Sequence, residues 1–286
     1  MTDAEVSDAD PTSRTRRLKH YLSVELRVDW LIEIQLLLLT FGTGVQDAIS
    51  FPDFHCFASN QTGNTVILAV GLAGLGGDLF DIANVGISLA LFIGGAIMTG
   101  QIANIVGARR RAWLIFSHLL QTVMAFGAAA IAASHDVQES GPWAQSAIAL
   151  LAFSSGAQVA SMRPLRVQEI TTAMATAAWV DLVVDPKLFA IHNHSRDRRA
   201  LFLAALVAGS FAGAYAHFPI GSSNTLILSA VSKLLVTVTL LFNRNADIVY
   251  PARYRNYRNV NTVLQRRYSQ IQRDDAWGIQ QKTLTD

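Results

Sequence analysis

Between Leu31 and Phe242 the chain is cut into apolar blocks of about 18 to 23 residues, joined by short polar loops. A helix of that length crosses a hydrocarbon core of roughly 30 Å. Charge usage agrees. Of the 286 residues 15% are charged and 51% hydrophobic, whereas soluble domains run near a quarter charged; mean hydropathy is +0.30. The expected fold is therefore all-α, a polytopic helical membrane protein. Its apolar segments lie near 31–50, 60–77, 84–106, 112–133, 144–162, 167–184, 200–217 and 221–242.

The segments repeat. At an offset of 112, GTGVQDA lies over SSGAQVA, and Leu38, Phe41, Gly44, Gln46 and Pro52 meet Leu150, Phe153, Gly156, Gln158 and Pro164. At 114, Gly95 and Gly107 meet Gly209 and Gly221; at 115, SHLLQTV (117–123) meets SKLLVTV (232–238). The offset grows only through loops, as divergence after duplication requires. This divides the chain into a polar N-terminus (1–29, with 1–17 expected to be disordered), two membrane repeats (31–133 and 144–242) and a basic tail (243–286).

Lys and Arg in short loops favour the cytoplasmic side. Loop 51–59 has neither, while its counterpart 163–171 carries Arg163 and Arg166. Loop 78–84 has neither, while 185–199 carries Lys187, Arg196, Arg198 and Arg199; Arg109, Arg110 and Arg111 face a bare 217–225. Opposite bias in every pair is the pattern of inverted-topology repeats. Inversion needs an odd number of crossings per half, so one of the four segments in each half returns to its own side. Loops of like charge flank 60–77 and 167–184, which marks these two as the short re-entrant or broken helices. Each half then has three spans, both termini are cytoplasmic, and all the loop Lys and Arg lie inside. If all eight segments cross, in a 4+4 arrangement, the same charges divide almost evenly between the two sides.

A half-helix opening on Asn60-Gln61-Thr62-Gly63-Asn64 has side-chain partners for its free backbone groups, and irregular backbone at membrane depth survives only in protein or beside a wet cavity. Paired interrupted segments in inverted halves point to a transporter site. The plainer alternative is that Asn60 and Thr62 cap an ordinary crossing helix.

GTGVQDAISF followed by NQTGNTVILA, with TTAMATAAWVDL in the second half, resembles the YoaK-like family, domain of unknown function 1275, as a fungal-type member. That resemblance covers about 31–242 and implies a multispan membrane protein; some members are loosely labelled permeases. Carried over by position, Asp47 and Thr62-Gly63-Asn64 match the first-half motif. The second-half Thr-Gly pair usual in the family is Ala175-Thr176 here, which breaks strict equivalence of the halves.

Ionisable side chains inside spans are costly and face the bundle interior or water. Asp47 and Asp181 are the carboxylates, and His118 and Lys233 occupy equivalent places, as do Gln46 and Gln158. One reading makes Asp47 a coupling carboxylate for protons, neutralised in part of a cycle by Lys233; the other makes Asp47–Lys233 or Asp181–Lys233 a permanent lock. The candidate site is thus Asp47, Gln46, Thr62, Gly63, Asn64, Gln158, Thr176, Asp181, Lys233 and His118. Glu33 is expected among the headgroups, and small-residue runs such as AGSFAGAYA (208–216) serve helix packing.

No phosphate loop or zinc-type spacing is present, so neither an enzyme nor a cofactor or metal is expected. The Arg-rich tail suits an anionic leaflet and does not call for nucleic acid. The functional expectation is a small-solute secondary transporter or permease of the plasma membrane or an endomembrane. A passive channel of the same fold, and a non-transporting scaffold or receptor acting through its tail, are the alternatives; homo-oligomerisation stays open.

Overall fold

The computed structural model describes residues 11–75, 80–135 and 140–246, and these are helical, with two isolated bridges and no strand among them. The helices are α1 (Pro11–Ser23), α2 (Trp30–Phe54), α3 (Gln61–Leu72), α4 (Ile82–Val106), α5 (Arg111–Ser134), α6 (Pro142–Met162), α7 (Thr176–Val183) and α8 (His194–Thr239). Helices α2, α4, α5 and α8 are long and apolar enough to cross a membrane. From Pro11 onward the stretch expected to be disordered is helical. The basic tail beyond Ala246 lies outside the described residues.

Two of the expected segments are shorter than drawn. Helix α3 has 12 residues and α7 has 8, or about 18 Å and about 12 Å at 1.5 Å per residue, well short of the bilayer core. Segment 167–184 is helical only from Thr176; the part before it is irregular, with Thr172 at φ 65°. Conversely, 200–217 and 221–242 run on as one helix, α8, broken at Gly221 (φ 77°) behind Pro219. A positive φ is free for glycine and strained for other residues, so the bend belongs there.

Helix α2 packs on α8 and α4 packs on α6, while α5 touches both α6 and α8. Each of the first two crossings is glycine-lined. A Cβ on Gly209 would stand 2.1 Å from the Phe41 carbonyl oxygen, and one on Gly95 would stand 2.3 Å from that of Phe153. Likewise Gly44 abuts the Leu206 carbonyl and Gly156 that of Phe92. These are the same contacts under the sequence offsets, made once by α2 with α8 and once by α6 with α4. Backbones this close leave room for no side chain, which is why glycine stands at both crossings.

Two apolar clusters sit at opposite ends of α2. Ile32 and Leu36 join Leu165, Val167, Ile170 and Ala178, so the loop into α7 packs where α2 begins. Val45 and Ile49 join Phe54, Cys56 and Ala58, so the loop into α3 packs where α2 ends. At the α2 start, Val24–Arg27 pairs with both Arg109–Arg111 and Arg244–Ala246 through backbone bonds of 2.8–3.0 Å, tying three segments together.

Candidate functional site

The polar opening of α3 divides its labour. Asn60 caps the helix, its side-chain oxygen accepting from the Gly63 N–H at 3.2 Å. Asn64 is fully buried; its amide accepts from the Phe57 N–H at 2.9 Å and donates to the Phe57 carbonyl at 2.7 Å and to Ser88 at 3.1 Å. Such bonds satisfy backbone that no helix ladder serves. Gly63 admits the Phe57 ring, since a Cβ there would lie 3.1 Å from it. Gln61 and Thr62 face a cavity instead.

That cavity holds about 1120 Å³. Its wall combines the first turn of α3, the approach and first turn of α7 (Ala173 to Ala177), and the facing sides of α2 and α8. The starts of the two short helices, far apart in sequence, thus meet in one space. Asp47 lies in the wall. Its Oδ1 accepts the N–H groups of Ala58 (3.1 Å) and Ser59 (2.8 Å), and the Ser59 hydroxyl donates to Oδ2. The carboxylate therefore shapes the turn into α3, and Asp47 also lines the cavity. Phe51, Phe57, Phe92 and Phe211 stand in the apolar part of the wall, with Ser210 at the α8 side.

Of the expected site residues, Asp47, Thr62 and Thr176 share this cavity, and Gly63 and Asn64 build the turn behind it. Asp181 does not join them: it is exposed on α7 and outside the cavity wall. Gln46, Gln158, Lys233 and His118 form a second, fully buried group. There Gln46 donates to Ser155 at 2.8 Å and Gln158 to Thr43 at 3.1 Å, again one contact made twice under the offset of 112. Lys233 donates to the Gln158 side-chain oxygen. No ion pair among the described residues joins it to Asp47 or Asp181, because Asp47 is held by Ala58 and Ser59 and Asp181 faces outward. His118 is buried, and neither ring nitrogen has a hydrogen-bond partner among the described residues.

Glu33, expected among headgroups, is ion-paired with Arg198 at 2.5 Å; Arg198 also reaches Glu169 at 3.8 Å. Asp185 holds the α7–α8 turn, accepting from the Lys187 N–H at 2.8 Å and from Asn193 at 3.0 Å, with Arg199 at 3.4 Å. These contacts hold its carboxyl below the usual carboxylate range, the Lys187 bond first. Sequence reasoning missed Ser59, Phe92, Ser210 and Phe211. Ser210 had a signal, since it sits between the small residues of AGSFAGAYA.

The long apolar helices, the two short helices and the buried polar groups define a polytopic helical membrane protein. A family model described as protein of unknown function (DUF1275) matches residues 35–239, most of the chain, and the chain belongs to that family. No curated protein and no solved structure matches it.

Proposed function

We propose that the protein is a small-solute secondary transporter of two inverted repeats, with its substrate site in the cavity between them. The observation that carries this reading is the meeting of the α3 and α7 starts with Asp47 in one space of about 1120 Å³. Ligand sites of secondary transporters lie where broken helices of inverted repeats converge near the midplane. Three further features support the inversion: contacts made twice under the sequence offsets, short helices anchored at opposite ends of α2, and loop charges of opposite bias. Both termini then lie in the cytoplasm, and the partners are the bilayer and the solute.

The test is a solute screen by thermal unfolding in nanodiscs, run on the wild type and on Thr176→Trp, which fills the cavity. Solutes that stabilise only the wild type go forward to counterflow in proteoliposomes. The reading expects counterflow at least tenfold above protein-free liposomes, lost in Thr176→Trp. Stabilising solutes that never cross faster than through bare lipid would make the protein a receptor or scaffold and overturn it.

A further inference from the structure

The chemistry of the cavity wall narrows what it takes. Among the residues lining it there is one charged group, Asp47, and no Lys, Arg or His. An ionised carboxylate offers about four acceptor positions. Three are used: two on Oδ1 by Ala58 and Ser59, and one on Oδ2 by the Ser59 hydroxyl. The remaining position is on Oδ2.

Helix N-termini ordinarily favour anions; α7 has no side-chain cap, but most of the amides leading into α3 are already spent. Those of Ala58 and Ser59 donate to Asp47, that of Gln61 to the Ser59 carbonyl and that of Gly63 to Asn60; ahead of α7, that of Met174 donates to the Thr171 hydroxyl. An anion entering here would face the Asp47 carboxylate with no Lys, Arg or His in the wall to offset it. A cation would face the carboxylate together with aromatic faces, which attract positive charge. Phe51 and Phe57 are stacked at 4.8 Å between centroids, and Phe92 and Phe211 stand in the same wall. A largely apolar lining with a small number of placed polar groups is the usual form of a small-molecule site.

Building on the transporter reading, we propose that the substrate class is organic amines with an aromatic body: the ammonium donates to the open position on the Asp47 carboxylate, and the body lies among Phe51, Phe57, Phe92 and Phe211.

The test uses three probes with one body, 2-(1-naphthyl)ethylamine, 2-(1-naphthyl)ethanol and 1-naphthylacetate. Binding to the full-length protein in nanodiscs is measured by equilibrium dialysis against empty nanodiscs. The amine is expected to bind at least tenfold tighter than the alcohol, with the acid weakest. Asp47→Asn removes the amine-over-alcohol preference; Ser59→Ala, which frees another position on Oδ2, widens it and guards against a folding defect in the first variant. Equal affinities for all three mean that the cavity takes any apolar body, as it would a lipid chain, and overturn the amine proposal. Tighter binding of the acid overturns it too, while leaving the transporter reading intact. If no probe distinguishes the wild type from Thr176→Trp, the cavity is no ligand site and both readings fall.

Discussion

The hydroxyls of Thr122 and Thr237 meet at 3.0 Å, and the two residues hold the same place in SHLLQTV and SKLLVTV. Two copies of one position touch when they flank a two-fold axis, so this contact marks where such an axis would run, between α5 and the second part of α8. In a Cys56→Ser background, Thr122→Cys with Thr237→Cys should form an intramolecular disulfide in native membranes under mild oxidation. The check is a gel shift after cleavage between the halves. Single variants should not give it, and a double variant that stays uncrosslinked would contradict the contact.

The glycine crossings predict a sharp contrast in stability. A Cβ on Gly156 would lie 2.0 Å from the Phe92 carbonyl oxygen, whereas one on Gly94 meets nothing within 4 Å. Gly156→Ala should destabilise by about 1–3 kcal/mol, as overpacking does. Gly94→Ala should be neutral or stabilising by up to about 1 kcal/mol, since glycine weakens a helix interior by that amount. Unfolding midpoints in nanodiscs compare the two.

Lys233 and Gln158 should behave as a unit. Gln158→Leu leaves the buried Lys233 amino group without its acceptor and should cost about 1–3 kcal/mol, the range for a buried polar group left unsatisfied. Lys233→Met in the same chain should recover most of that, because apolar replacement of buried polar partners is often neutral. A double-mutant cycle on thermal stability measures the coupling.

The Asp185 turn should respond to acid in one direction. Its carboxyl titrates below the usual value in the folded protein, so the stabilisation is complete above about pH 4, the unperturbed aspartate pKa. It is lost as pH falls through the lower folded value. Hydrogen exchange should show the Leu188 and Ala190 amides opening at that lower pH, and Asp185→Ala should show the opened pattern at neutral pH.

A cysteine at Phe80, again without Cys56, should react with an impermeant thiol reagent on intact cells if α3 returns to the side it entered from. Reaction only after permeabilisation would mean that the segment crosses, and the three-span halves would fail with it.

How much of this was written in the residues differs from place to place. Helix positions were legible because apolar block length and bilayer thickness constrain each other, and the ends of α4 and α6 fall close to the expected ones. Gly44 and Gly156 were legible as matching positions, but the backbone contacts that require glycine there were not. Asp181 was misplaced because 167–184 looks like one helix, whereas α7 starts only at Thr176 and turns that side chain outward. Lys233 was expected to seek a carboxylate. It found Gln158, and no such partnership exists in the first half because His118 stands at the equivalent place. Phe92 and Phe211 gave no signal, since nothing in an apolar helix tells an aromatic facing a cavity from one facing lipid.

The α2–α8 crossing also sets an order of events during synthesis. Phe41 is made well over a hundred residues before Gly209, its backbone neighbour. At about 5–20 residues per second, the glycine-notched flank of α2 stays without its mate for on the order of ten seconds after it reaches the membrane. A chain released early would carry that flank, with Gln46 beside it, permanently unmatched, a mark by which membrane quality control could recognise an incomplete copy.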